Sequence, residues 1–305
     1  MKLGCFSLPQ LLERGYDFDY PFSEFNNNIL IVGSSGSGKS YLGKKIFDEV
    51  KPKLTFIYKE DGVYSDFVRV SDCRPDISVN PLEFINSFND CLNISSTGFM
   101  ASQIMPLLSS SVGSHKGVVN LIRGLKDDMR ASEKVNNITY GIYNYILQLV
   151  SLYYPSPKNA FSSIPDGTVL SFDGMSDVEQ VFFSDFILRS VYHNLHDDVI
   201  LIDEIHRLKG LSDGILGRVV REVRSRGALV GITQSISDLS DDLVNNFGSI
   251  FQFHSFHFED LEKLRHISVS LPDFVVLLKR GYFIELQEFN ELRMKSFERA
   301  YRVVD

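Results

Sequence analysis

Gly33-Ser34-Ser35-Gly36-Ser37-Gly38-Lys39-Ser40 matches the spacing G-x-x-x-x-G-K-[ST] without a mismatch. Each residue type in that pattern has a use in holding a phosphate chain. Glycines let the backbone wrap a phosphate with its N–H groups, and the N-terminus of a following helix adds a favourable dipole. Lys39 then reaches the β- and γ-phosphates, and the Ser40 hydroxyl ligates Mg²⁺. The loop from Gly33 to Tyr41 is therefore expected to hold a magnesium–nucleoside triphosphate. A glycine turn that matches by accident is the plainer alternative, and the apolar run before it and the helical stretch after it argue against that.

Two further positions complete a reaction centre. Val199-Ile200-Leu201-Ile202 runs directly into Asp203-Glu204, which describes a buried strand delivering two carboxylates to the C-terminal edge of a sheet. Asp203 is expected to serve the Mg²⁺ ion, and Glu204 to orient and activate water for attack on the γ-phosphate. Gln234 ends the apolar run Ala228–Thr233. Residues 204–227 leave room for one crossover helix, so this strand can neighbour that of Asp203 and bring Gln234 to the γ-phosphate or to the attacking water. The crossover helix carries Arg218, Arg221 and Arg224 opposite its apolar face, with Arg226 beyond. Such a face is usually just solvated. Here Arg221, Arg224 or Arg226 is also a candidate to reach a phosphate held by a neighbouring subunit and stabilise transition-state charge.

These residues need a frame. Strands are expected at 28–32, 54–58, 168–172, 199–202, 228–233 and 249–253, alternating with helices at 40–49, 178–194 and 212–224. Helices and short strands follow residue 253. That alternation predicts an α/β fold with a mainly parallel sheet flanked by helices. Residues 82–165 read as helical, including 117–131 and 138–152, and are expected to form an insertion within a single domain spanning 1–305.

Composition sets bounds on function. Apolar residues make up 44% and charged residues 23% of 305, ordinary for a globular protein. No apolar run reaches membrane-spanning length, and Pro9, Glu13 and Arg14 interrupt the N-terminus too early for a signal peptide. Cys5, Cys73 and Cys91, odd in number and widely spaced, suit a reducing interior. The expected location is cytoplasmic, or the host cytoplasm for a viral or mobile-element protein. The net charge of −8 weighs against a basic outer coat for nucleic acid, yet permits basic groups confined to a channel. His193/His196 and His254/His257 form H-x-x-H pairs without a further ligand nearby, so no structural metal is expected.

The ensemble resembles the HerA–FtsK superfamily of DNA-pumping ATPases, most closely its HerA-like and conjugation-type branch, over residues 28 to about 290. Gly33–Ser40 is similar to that family's GxTGSGKS loop, and Asp203-Glu204-Ile205-His206 to its D-E-A-H box. Glu60-Asp61-Gly62-Val63-Tyr64 and Asn80-Pro81-Leu82 resemble its D-x-x-G-E-Y and N-P-L segments. The more specific likeness joins Arg221-Glu222-Val223-Arg224-Ser225-Arg226-Gly227 to Ile232-Thr233-Gln234, similar to an R-E-G-R-K-x-G run leading to a T-Q strand. Ser225 stands where the family has lysine, and the first 25 residues leave no room for the family's N-terminal β-barrel. The resemblance implies a RecA/ASCE-like P-loop NTPase fold, ATP hydrolysis with Mg²⁺ and a homo-oligomeric ring, usually a hexamer. It also implies double-stranded DNA in the pore, with a nuclease or another protein as a further class of partner. Lys116, Arg123, Lys126 and Arg130 in the helical block are candidate DNA contacts. A nucleotide-dependent switch or scaffold without DNA pumping is the competing class. A small-molecule kinase fits less well, because a water-activating Glu204 would waste ATP.

Overall fold

The computed structural model describes residues 2–6, 16–19, 28–72, 167–192, 198–211, 214–223, 227–267, 269–289 and 294–302, with a few single positions between them; side chains of 2–6, 16–19 and 287 onward are excepted. The chain divides into two compact units. One comprises residues 1–67, 166–170 and 195–305, and the other residues 68–165 and 171–194.

The first unit carries the sheet. Its strands are β1 (Lys2–Phe6), β2 (Tyr16–Asp19), β3 (Ile29–Val32), β4 (Leu54–Ile57), β6 (Thr168–Ser171), β7 (Asp198–Ile202), β8 (Gly227–Thr233), β9 (Ser249–Phe253), β10 (Tyr282–Phe289) and β11 (Met294–Arg302). They lie in the order β2-β1-β11-β10-β9-β3-β8-β7-β4-β6. From β9 through β3, β8 and β7 to β4 the pairing is parallel. Strands buried on both faces read as continuous apolar runs, and β3 and β4 are buried at every residue. β7 and β8 are direct parallel neighbours, Ile202 opposite Gly231, as the crossover spacing allowed.

From β9 outward through β10, β11 and β1 to β2 the pairing turns antiparallel. The sequence reading did not anticipate this extension. β1 lies too far in sequence from its partner β11 for any local pattern to announce that pairing.

Helix α1 (Lys39–Val50) packs Leu42 and Ile46 into the core formed with Ile31, Leu201, Val230, Ile232, Phe251 and Phe283. Full burial of each such side chain contributes about 1.5–3 kcal/mol. Gly43 sets how close the helix comes, since a Cβ there would meet Ile232 Cδ1 at 2.5 Å. Helix α3 (Ile215–Glu222) crosses from β7 to β8, burying Ile215, Leu216, Val219 and Val220. The expected helix ran over 212–224; its flanks at 212–213 and 224–226 lie outside the described residues. Three further short helices, α4 (Asp241–Asn245), α5 (Phe258–Ile267) and α6 (Leu271–Leu277), flank β9 in sequence.

The second unit contains β5 (Val68–Arg69) and α2 (Asp177–Tyr192). Asp185 is fully buried and accepts from Arg189 Nε at 2.7 Å, while Arg189 also pairs with Asp90. Burial pushes the Asp185 carboxyl up, and the Arg189 guanidinium opposes the shift. Nearly all of the helical insertion expected at 82–165, including Lys116, Arg123, Lys126 and Arg130, lies outside the described residues.

Candidate nucleotide site

Parallel strands deliver their C-terminal ends to one edge, and the phosphate loop leaves that edge from β3. Gly33 is the first point where only glycine serves. Its φ is +156°, and a Cβ there would stand 2.6 Å from Phe253 Cβ. The loop is then braced from two sides. Ser34 donates its N–H to His254 O at 2.8 Å and its hydroxyl to the same oxygen at 2.9 Å. Gly281 N–H donates to Ser37 O at 2.8 Å. His254, part of an H-x-x-H pair in the sequence, is thus occupied in holding the loop, its Nδ1 lying 3.2 Å from Ser34 Oγ. The backbone N–H groups of Gly36, Gly38, Lys39 and Ser40 find no backbone acceptor among the described residues. Ser37 Oγ is buried without a partner. A phosphate chain is the ligand that such a cradle of free donors fits.

Lys39 is the first residue of α1 and almost wholly buried, its Nζ donating to Ser34 O at 2.9 Å. Burial pulls its pKa below the usual lysine value, while the carboxylates of Glu204 and Asp203 hold it up. These two acids are therefore close enough to feel the same cation, although 164 positions separate Lys39 from Asp203 in the chain.

Asp203 continues the β7–β4 pairing by one step, its N–H donating to Phe56 O at 2.9 Å. Glu204 then leaves the strand with φ +54°, a left-handed conformation that costs a non-glycine residue about 1–2 kcal/mol. Its N–H folds back onto Asp203 Oδ1 at 3.0 Å. Gln234 Nε2 donates to Glu204 Oε1 at 3.1 Å, and His206 Nδ1 lies 3.2 Å from Glu204 Oε2. Thr233 gives its hydroxyl hydrogen to Ser235 O at 3.2 Å, so toward His206 Nδ1, 3.3 Å away, it accepts. That arrangement assigns the Nδ1 hydrogen to His206. Gln234, at the neighbouring strand end, thus holds Glu204 Oε1, while Oε2 is buried with no hydrogen-bond partner among the described residues.

Burial raises the Asp203 pKa to about 7, with Glu204 and Asp61 adding to the shift; the Glu204 N–H and Lys39 oppose it. A carboxylate so short of positive charge is chemically suited to a divalent cation. The pKa sits above that of an unfolded aspartate. Metal-free protein therefore gains stability from this group as pH falls through about 7 toward 4, and carries its cost above 7. Asp203→Asn is accordingly expected to raise Tm at pH 8 in EDTA, with a smaller gain at pH 6. Calorimetry at the two pH values checks this, and a lower Tm at pH 8 would refute it.

A cavity of about 400 Å³ opens beyond the loop, lined by Lys39, Ser40, Tyr41, Lys44, Val63 and Arg280 among others. Tyr41, placed in the nucleotide-binding loop from sequence, lies on its wall. Arg280, Lys44 and Val63 were not assigned a role from sequence. Arg280 reaches the cavity because Gly281 is bonded to Ser37, and it makes no hydrogen bond or ion pair with any described residue. The α3 arginines are placed otherwise. Asn28, at the start of β3, donates to Val220 O at 2.6 Å, so the end of α3 lies at the sheet edge opposite the loop. Arg221 there pairs with Asp242 at 3.2 Å. The length of β8, roughly 20 Å, separates it from Gln234. Arg224 and Arg226 lie outside the described residues.

No family model and no curated protein sequence matches the chain. Solved structures do. VirB4 of Thermoanaerobacter pseudethanolicus matches with a TM-score of 0.70 at 15% identity, covering 99% of this chain and 96% of that one. The chain shares the fold of that protein, a P-loop α/β fold with a mainly parallel sheet flanked by helices. The genome packaging NTPase B204 of Sulfolobus turreted icosahedral virus 2 aligns over 92% of this chain and 99% of its own, with 13% identity and a TM-score of 0.48. EssC of Geobacillus thermodenitrificans aligns over 99% and 43%, with 12% identity and a TM-score of 0.39.

Within this fold, the strand ends collect the residues expected to do chemistry. Lys39, Asp203, Glu204 and Gln234 come together, and Ser40 shares their edge. No helix among the described residues is long and apolar enough to cross a membrane.

Proposed function

We propose that the chain hydrolyses ATP with Mg²⁺ and acts as one subunit of a homo-oligomeric ring, a hexamer, that moves double-stranded DNA. The observation that carries hydrolysis is the Glu204 carboxylate, held by Gln234 beside Asp203 and felt by Lys39. A kinase has no use for a carboxylate in that place, because it would direct water at the γ-phosphate. Lys39 and the loop N–H groups bind and orient the phosphates. Ser40 and Asp203 would hold Mg²⁺, which neutralises charge on the β- and γ-oxygens when bound. Glu204 accepts the proton of the attacking water, and Gln234 fixes where that water stands. Because Arg221 lies far from its own subunit's loop, a phosphate-directed role for the α3 arginines has to be exercised on a neighbouring subunit's nucleotide.

DNA movement is supported by the arginine run that leads into Ile232-Thr233-Gln234. A motor grips every step of its track, so the contacts should go to phosphates rather than base edges. Linear duplex DNA is expected to stimulate ATP turnover, and binding should weaken steeply with salt as each contact releases counterions. Replacing two of Lys116, Arg123, Lys126 and Arg130 should flatten the slope of log affinity against log salt by about 2 and leave basal turnover intact. ATPase assays with and without linear duplex, alongside the particle mass in solution, test the proposal. A ring without DNA binding or stimulation at low salt would establish the nucleotide-dependent switch or scaffold instead.

A further inference from the structure

We propose that Asp260 is a positioning residue that ties the sensor Gln234 to the wall of the phosphate loop. The inference rests on the hydrolytic reading above. Asp260 stands in the first turn of α5 and is fully buried. Its Oδ1 accepts the Ser235 hydroxyl at 2.6 Å and the Ser237 N–H at 3.0 Å. Its Oδ2 accepts the Ser255 hydroxyl at 3.4 Å. Ser235 follows Gln234 directly. Ser255 follows His254, whose carbonyl receives both bonds from Ser34 of the phosphate loop. One carboxylate thus joins the loop after β8 to the loop after β9, the first presenting the sensor and the second bracing the phosphate cradle.

The chemistry of the link explains the residue type. With the Ser235 hydrogen committed to Asp260, the Ser237 hydroxyl donates to Ser235 Oγ at 2.6 Å. Every bond to Asp260 runs toward the carboxylate, so both of its oxygens must accept. Asparagine keeps one accepting oxygen, so the Ser255 hydroxyl, which now donates, would have to turn round and accept from the amide, which loosens the hold on one of the two loops. No lysine or arginine among the described residues pairs with Asp260, whose charge is balanced by neutral donors and the α5 N-terminus. A buried charge held in this way is a costly means of stability alone. As a clamp it keeps Gln234 where it meets Glu204 at 3.1 Å while the phosphate loop stays seated.

Asp260→Asn is expected to lower kcat about tenfold by displacing Gln234, while affinity for a fluorescent ATP analogue stays within about twofold. Rates are taken per bound nucleotide, so that loss of folded protein does not enter. The decisive measurement repeats the substitution in a Gln234→Ala background. Acting through Gln234, Asp260→Asn should there cost less than about twofold. Wild-type kcat in Asp260→Asn, or the same loss with and without Gln234, overturns the assignment. If Asp260→Asn does not fold, Ser235→Ala removes only the link nearest the sensor. A lowered kcat that vanishes in the Gln234→Ala background supports the clamp, and an unchanged kcat rejects it. A wild-type protein that binds ATP but never hydrolyses it overturns the hydrolytic reading itself, and the clamp with it.

Discussion

Glu204→Gln is expected to bind ATP as tightly as the wild-type protein and to turn it over ~10²–10⁴-fold more slowly, the usual contribution of a general base. The substitution is nearly isosteric. The amide oxygen in that place can still accept from Gln234, so the left-handed turn at residue 204 should survive. What is lost is the capacity to take a proton from water. The variant should therefore accumulate bound, uncleaved ATP, read by rapid filtration and chromatography of the bound nucleotide. Removing one carboxylate also relieves Asp203, whose raised pKa owes part of its shift to Glu204, and so should not weaken Mg²⁺ binding through proton competition. Turnover at the wild-type rate would eliminate Glu204 as the base.

Lys39→Ala should fail earlier, at binding. The buried ammonium is the one cation shown to sit in the field of both Asp203 and Glu204, and its removal leaves two carboxylates facing incoming phosphates. Charge-assisted hydrogen bonds of this kind contribute ~1.5–3 kcal/mol, or roughly 10–100-fold in affinity, before any effect on the transition state. Equilibrium titration with a fluorescent ATP analogue separates this variant from Glu204→Gln, which should titrate normally. The same protein reports on shared active sites. Mixed with Arg224→Ala, Arg221→Ala or Arg226→Ala subunits, themselves inactive, it should regain some turnover, because one subunit would supply the intact loop and the other the arginine. Normal affinity in Lys39→Ala would contradict the placement of the phosphates. A fully active monomer at micromolar concentration with ATP and Mg²⁺ would contradict the ring.

Chemistry in this protein was legible where residue type and local spacing suffice. The loop Gly33–Ser40 is contiguous, and its glycines, lysine and serine follow a spacing that suits one phosphate chain. Asp203 and Glu204 follow four aliphatic residues, so their delivery to a strand end follows from a pattern of buried positions. Gln234 was within reach for the same reason, since the crossover length to β8 allows adjacent parallel strands, and β7 and β8 do pair. Strands that are buried on both faces announce themselves by composition.

Contacts between distant segments were not legible. Arg280 reaches the cavity through the bond of Gly281 to Ser37, 244 positions away in the chain, and nothing around Lys279-Arg280-Gly281 signals it. Nothing in the sequence around His254 signals that its carbonyl seats the phosphate loop. Asp260 reads as an ordinary acid in the first turn of a helix until its oxygens are found between two serine-bearing loops. The antiparallel pairing of β1 with β11 spans almost the whole chain length. Sequence by itself determined that Lys39, Asp203, Glu204 and Gln234 stand at one edge, because each is fixed by its own strand or loop. The tertiary structure alone decided what braces those side chains and how they are coupled, because hydrogen bonds between loops depend on sheet order and carry no local pattern.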